Sequence, residues 1–312
     1  MTRLNLGLTR GLAAIYLFFS SGPVLPVSAA AERRTATATS ATPAPTPLRT
    51  AVRPFLWKVE GPRPSWLFGT IHSADPAVAR LPASVTTALD TSRSFHPEVE
   101  LSVDLAPTLA LKLFAADTPG LSTRLTPALW GRVQRAGAEL GLPDLLLERL
   151  TPGLAALFFS SPIDTDVAAT VDGQLQARAT ARRLAITPLE TLDEQLGLFA
   201  HLPEAIAITA LTEALTEAES GRPNEKKLLR AYASGDERRV LAAIDAEFSA
   251  SPGTRALADP LLYRRNRLMA DRLAPHLTQG GAFVAVGAAH LLGPKSIIEL
   301  LRARGVRITR VP

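Results

Sequence analysis

The chain has only five histidines, His72, His96, His201, His276 and His290, and no cysteine. Two of them share a local design. His72 closes Gly69-Thr70-Ile71-His72 and His290 closes Gly287-Ala288-Ala289-His290. Each Gly-x-x-His follows a β-like run, Ser65–Phe68 or Phe283–Val286, and precedes a helix-start signal, Asp75-Pro76 or Gly293-Pro294. Both imidazoles are therefore expected at strand ends beside helix starts, the edge of an open α/β sheet where ligands collect. Imidazole there ligates a metal ion or, in the plainer reading, hydrogen-bonds a loop. His201 and His276 read as surface positions. A third β-like run, Ser94–Leu101, carries His96, Pro97, Glu98 and Glu100 in its middle, so it is either an edge strand or a place where function overrides propensity. His96 shares a face with Glu98 and offers a further ligand, whereas Glu100 lies one step further out and has no assigned duty.

The remaining elements decide how these groups can meet. Phe55–Val59 and Ser65–Phe68, joined by Gly61-Pro62-Arg63-Pro64, read as a hairpin. A helix over Leu81–Ser92 leads to the third strand. From about 106 to 161 the pattern is helical and apolar. A helix over Val171–Leu184, with Asp172 near its start, feeds a strand at Ala185–Glu190. A long helix is expected from Asp193 through Ala218, with Glu213, Glu217 and Glu219 on a solvated face. Two more follow at 225–233 and 236–248. Another carries Tyr263 to Met269, and the chain closes with strand, Gly-x-x-His, helix and a strand at Val306–Thr309. The expected class is α/β, or mixed α+β: a central mixed sheet with strand-end Gly-x-x-His motifs at both ends of the chain and a large mid-chain helical part.

Composition excludes several functions. Six of the 34 basic residues and one of the 29 acidic residues fall in 1–54, leaving 28 of each in 55–312, so the folded part has no net charge with which to attract nucleic acid. Arg3 and Arg10, the apolar Leu12–Phe19 and the small residues Val27–Ala31 read as a cleaved signal peptide over 1–31. An uncleaved anchor is the competing reading, and Ser20, Ser21, Gly22 and Pro23 interrupt it. Residues 32–54, rich in Thr, Ala and Pro, read as a disordered linker. Localisation is then periplasmic or secreted, with no transmembrane segment after signal cleavage. The chain contains no HExxH, Gly-x-Ser-x-Gly, Walker A or dinucleotide-binding glycine motif.

The ordered set GTIH at 69–72, Glu98 after Ser92-Arg93-Ser94, Leu189-Glu190-Thr191 with Gln195, Arg265-Asn266, and Phe283 through Gly293 resembles the TraB/GumN family, which includes the Tiki metalloproteases and proteins that shut down peptide pheromones. The resemblance covers 55–312 and implies a catalytic domain there. It places the family's two Gly-x-x-His motifs and essential glutamate on His72, His290 and Glu98. Two departures replace usual tryptophans with Gly153 and Met269, and a third puts His96-Pro97 where two apolar residues are usual.

On that resemblance, two imidazoles with Glu98, Glu190 or both suit a divalent Mn, Co or Zn ion whose incomplete shell admits water. The ion would bring that water's pKa toward ~7 and polarise a peptide carbonyl. A glutamate outside the shell would take the proton and return it to the leaving amine. Either Glu98 or Glu190 fits either duty. Arg265 or Asn266 would hold a substrate carboxylate or the oxyanion. The implied function is an exported metal-dependent peptidase acting on peptides or proteins. Its alternative is a non-enzymatic protein that binds a peptide, signal molecule or haem in the same cleft. Structurally, Glu98 and Glu190 could equally form a buried ion network with Arg265. Sequence does not decide the oligomeric state.

Overall fold

The computed structural model describes residues 53–101, 119–160, 166–249 and 252–312. The signal peptide and nearly all of the linker read from sequence lie outside the described residues, as do 102–118, which include the start of the first helical stretch, and 161–165 at its end. Six strands form one mixed sheet in the order β4-β3-β5-β2-β1-β6. They are β1 (Leu56–Val59), β2 (Ser65–Thr70), β3 (Ser94–Pro97), β4 (Ala185–Ile186), β5 (Ala282–Gly287) and β6 (Ile308–Arg310). The expected hairpin forms, with β1 antiparallel to β2, and β6 closes the edge beside β1. The first and last Gly-x-x-His motifs become neighbours because β2 pairs in parallel with β5, Thr70 opposite Gly287. β5 reads Ala-Phe-Val-Ala-Val-Gly and is buried throughout, as a parallel strand covered on both faces must be.

Four expectations need correction. The third strand ends at Pro97, four residues early, and it is not an edge strand, since it lies between β4 and β5. The strand expected over Ala185–Glu190 is regular only at Ala185–Ile186. Its chain nevertheless continues alongside, with Leu189 N donating to Pro97 O at 2.8 Å and Glu190 N to Glu98 O at 2.8 Å. The long helix over 193–218 is two helices, Leu192–Ala200 and Glu204–Glu219, bent by 100° where Pro203 cannot supply an amide hydrogen. His290 is not at the end of its strand but inside the short helix Ala288–Leu291, and the next helix starts at Ile297, capped by Ser296, rather than at Pro294.

The helices segregate into two apolar cores. One surrounds the sheet and includes Phe68, Phe283, Val284 and Met269. The other joins the mid-chain helices through Leu121, Leu154, Phe199, Leu211 and Leu261. Gly153 explains its own departure: a Cβ there would stand 2.0 Å from the Phe199 carbonyl oxygen, so the helix Pro152–Phe159 packs on bare backbone and has no space for tryptophan. Met269 is fully buried in the sheet core. Among the described residues no single helix is long and apolar enough to cross a membrane.

Candidate metal centre

Each of the paired histidines is held by a partner from a different helix. The helix Val171–Ala181, capped by the Thr170 hydroxyl, carries Asp172 in its first turn. Its Oδ2 lies 2.7 Å from His72 Nδ1, with both side chains buried. The carboxylate can only accept, so Nδ1 carries the hydrogen and Nε2 keeps its lone pair. His290 Nδ1 lies 2.6 Å from Asn266 Oδ1, on the helix Arg264–Gln279. Asn266 Nδ2 donates to Lys295 O at 2.9 Å, which turns its oxygen toward the imidazole and fixes the same tautomer. Burial pushes His72 down, but the charge and hydrogen bond of Asp172 outweigh it and, with Glu98, leave its pKa raised. His290, without an anionic partner at Nδ1, is lowered by burial to about 3 and is neutral.

Glu98 joins the two imidazoles. It leaves the sheet just after β3, its amide donating to Ala285 O at 2.9 Å. Its Oε2 lies 4.0 Å from His72 Nε2 and 3.8 Å from His290 Nε2, and accepts from Gly287 N at 3.1 Å. Its Oε1 accepts from Arg265 and, at 3.1 Å, from Gln195 Nε2. Burial would raise the Glu98 pKa, but Arg265, then the histidines and the Gly287 amide, hold it well below the carboxylate range. Arg265 Nε reaches Glu190 Oε1 at 3.0 Å, its Nη2 reaches Glu190 Oε2 at 2.6 Å, and its Nη1 donates to Leu261 O at 3.0 Å. Although burial disfavours the guanidinium, the two carboxylates raise its pKa. This is the buried ion network read as an alternative, and Glu98 belongs both to it and to the histidine pair.

The result is a point faced by three atoms, His72 Nε2, His290 Nε2 and Glu98 Oε2, and two imidazoles with one carboxylate are a donor set that suits a divalent cation. Bonds of ~2.0–2.1 Å put the ligands of a tetrahedral ion roughly 3.4 Å apart. The observed spacings are a few tenths of an ångström wider. Among the described residues no group of three or more His, Cys, Asp or Glu is placed to hold a metal ion as it stands. Two features leave room at this point. A Cβ on Gly287 would lie 3.5 Å from His72 Nε2 and 3.7 Å from Glu98 Oε2, so glycine keeps the centre open. Beside it Thr70, His72, Tyr232 and Gly287 line a cavity of about 20 Å³, room for one water. Thr70 Oγ1, on that wall, is buried with no hydrogen-bond partner among the described residues.

Of the residues singled out from sequence, His72, His290, Glu98, Glu190, Arg265 and Asn266 come together. They stand at different removes from the centre. Glu190 spends both oxygens on Arg265, with Gln195 Nε2 at 3.2 Å, and stands behind the guanidinium. Arg265 and Asn266, read as groups to hold substrate, are spent on Glu98, Glu190, His290 and Lys295. His96 is turned away: its ring nitrogens meet Thr187 O at 3.0 Å and Ser94 Oγ at 2.8 Å. Its ring lies 4.1 Å from that of His276, which is therefore half-buried rather than on the surface. Glu100 is exposed. The group that sequence reasoning left without a role is Asp172. An acid in a helix's first turn is ordinary dipole complementarity, and only its burial distinguishes this one.

A mixed α/β domain with a histidine from each end of the chain at one buried carboxylate defines the class, and the chain belongs to the TraB/PrgY/gumN family, whose profile matches residues 55–310. Among curated proteins it is 26% identical to Metalloprotease TIKI2 of Danio rerio over 83% of this chain and 61% of the relative. It is 25% identical to Metalloprotease TIKI1 of Homo sapiens, over 85% of this chain and 63% of the relative. A further relative, the Metalloprotease TIKI homolog of Nematostella vectensis, is 24% identical over 82% and 67%. The chain thus spans about three-fifths of the length of the first relatives it matches. No solved structure matches it.

Proposed function

We propose that this protein is an exported, divalent-metal-dependent hydrolase of peptide bonds, with His72, His290 and Glu98 as the groups that hold the ion. The observation that carries the reading is the convergence of two Nε2 lone pairs on Glu98 Oε2, each imidazole fixed in that tautomer by a buried partner. The names of the relatives support the reaction class. Export rests on the basic and apolar leader of 1–31.

When bound, a Zn, Mn or Co ion would supply an acidified water and a Lewis acid for the peptide carbonyl. The chain's own residues do the rest. Asp172 and Asn266 orient the imidazoles and, in the neutral rings, hold the proton on Nδ1. Arg265 keeps Glu98 ionised, which suits Glu98 to ligation better than to taking up a proton. Glu190 and Gln195 anchor Arg265 and Glu98, and the Thr70 hydroxyl offers a hydrogen bond to a water in the small cavity. Arg265 and Asn266 thereby act as positioning residues rather than as substrate anchors.

Metal content and cleavage of a peptide library, measured on untagged protein and on His72→Ala and His290→Ala, test the reading. Bound metal and cleavage should fall together in both variants. A metal-loaded wild type that cleaves nothing across a broad library would replace the hydrolase with a binding protein.

A further inference from the structure

The mid-chain helices line a second, larger cavity of about 320 Å³. Leu228, Glu247 and Phe248 line both it and the small cavity beside His72, so the two are separated by a single layer of side chains. Its walls are mostly apolar, with Ala156, Ala210, Ala214, Leu257 and Leu261 among them. Among the described residues, its charged groups are Glu213, Glu217, Glu225, Glu247 and one cation, Arg222.

Two of these carboxylates are not accounted for by the fold. Glu217 is: its oxygens accept from Asn224 N at 2.8 Å, Asn224 Nδ2 at 3.1 Å and Glu225 N at 3.3 Å, which caps the helix Pro223–Ala233. Glu225 is not. Its side chain is 6% exposed, among the described residues neither oxygen has a hydrogen-bond partner, and Arg222 Nε lies at 3.9 Å. The Arg222 guanidinium is itself directed at Ser160 O, 2.8 Å, and Phe159 O, 3.1 Å. Burial pushes the Glu225 carboxyl up to about 8. Glu213 Oε2, one turn before Glu217 on the same helix, is likewise buried without a hydrogen-bond partner among the described residues. The acids on Glu204–Glu219 are thus not all on a solvated face, as their spacing alone predicts. Glu219 is, paired with Arg132 at 2.7 Å, but Glu213 and Glu217 turn inward. Buried carboxylates without donors are costly, and a cationic donor entering the cavity removes the cost.

We propose that this cavity is a substrate subsite for an organic cation on an apolar stem, the ammonium of a lysine side chain or of a peptide N-terminus, with Glu225 and Glu213 as its acceptors. The apolar walls favour an alkyl stem over a hydrated inorganic ion, and Glu225 supplies the charge-assisted hydrogen bond. The assignment of the cavity to substrate rests on the hydrolase reading, but its chemistry is tested by binding alone.

The probes are n-hexylamine and n-hexanol, titrated into the full chain by ligand-observed NMR. Hexylammonium should bind at least about tenfold more tightly than hexanol. Glu225→Gln should remove most of that preference and leave hexanol within about twofold, while Ala214→Leu, which fills the wall, should weaken both. Hexapeptides that differ only in a free or acetylated N-terminus, or in lysine or norleucine, identify which ammonium is taken. Equal binding of amine and alcohol, an unchanged preference in Glu225→Gln, or displacement of the amine by calcium chloride each overturns the proposal. Lost preference with metal-dependent cleavage intact removes the subsite alone, whereas retained preference without cleavage removes the hydrolase.

Discussion

Asp172→Asn is the most informative single change, because it alters the proton on His72 without touching a group that faces the centre. The wild-type contact is 2.7 Å between side chains no more than 6% exposed. A buried hydrogen bond to a charged group is worth ~1.5–3 kcal/mol, which converts to a loss of roughly ten- to a hundredfold in metal affinity, the range usual for groups that orient a ligand. Asparagine also presents an amide nitrogen as readily as an oxygen. In the flipped orientation Nδ1 becomes an acceptor and the hydrogen moves to Nε2, between His72 and Glu98, where an ion would have to sit. Removal of the carboxylate's charge should also lower the His72 pKa, since Asp172 is what raises it above its burial-depressed value. Imidazole nitrogen shifts in metal-free protein report the tautomer, and competition with a chromogenic chelator reports the affinity. If Asp172→Asn binds metal within twofold of wild type with the imidazole shifts unmoved, the orienting role of Asp172 is wrong, and with it the argument that three acceptors converge by design.

Three further outcomes are expected. Glu190→Gln breaks a buried pair and leaves Arg265 undercompensated, so urea melts should lose ~3–5 kcal/mol; an unchanged midpoint would remove Glu190 as the anchor. His290, at about 3, and His96, lowered to about 4 mainly by burial, are both depressed below the unfolded value of ~6.5. The unfolded chain then binds the extra protons, so stability is full above about pH 6.5 and falls as pH drops through it toward 4; metal-free melts should show this slope, and His96→Gln should reduce it. Glu225 has the opposite sign: its folded value of about 8 exceeds the unfolded ~4.3, so the folded state loses stability as pH rises between them. Glu225→Gln should therefore match wild type near pH 4 and be the more stable protein at pH 8, as thermal melts would show.

Much of the architecture was legible because strands and turns advertise themselves locally. The all-apolar β5, the Gly-Pro-Arg-Pro hairpin link and the Asp75 cap, whose carboxylate accepts from Ala77 N at 2.8 Å, need no tertiary information. The breaks were harder. Periodicity carries the eye across Leu202-Pro203, although the chain turns by 100° there. The roles within the site were least legible, because they depend on which atom faces which. Sequence offers Glu98 and Glu190 as equals. The structure separates them by Arg265, whose charge lies between Glu190 and the histidines' carboxylate. Asn266 and Arg265 are adjacent on one helix, yet one serves His290 and the other Glu98.

The two Gly-x-x-His motifs look equivalent but reach the centre differently, and the sheet register shows why they must. Because Thr70 is opposite Gly287, the second motif begins one residue further along the parallel pair than the first. An identical path for both would leave the imidazoles out of step by about one strand residue, ~3.3 Å. After Gly287 the chain instead turns at once into the helix Ala288–Leu291, advancing only ~1.5 Å per residue. Three such residues rise ~4.5 Å. After Thr70 two non-helical residues, at up to ~3.3 Å each, reach His72. The helical turn shortens the longer of the two paths, and both Nε2 atoms lie within 4.0 Å of one carboxylate oxygen. Ala288 and Ala289 are small and buried where that turn crosses the end of β2, and Gly69, whose Cβ would lie 3.0 Å from Ala288 Cα, leaves the space it needs. The first glycine thus serves the second histidine, which couples the two ends of the chain more tightly than either motif shows alone.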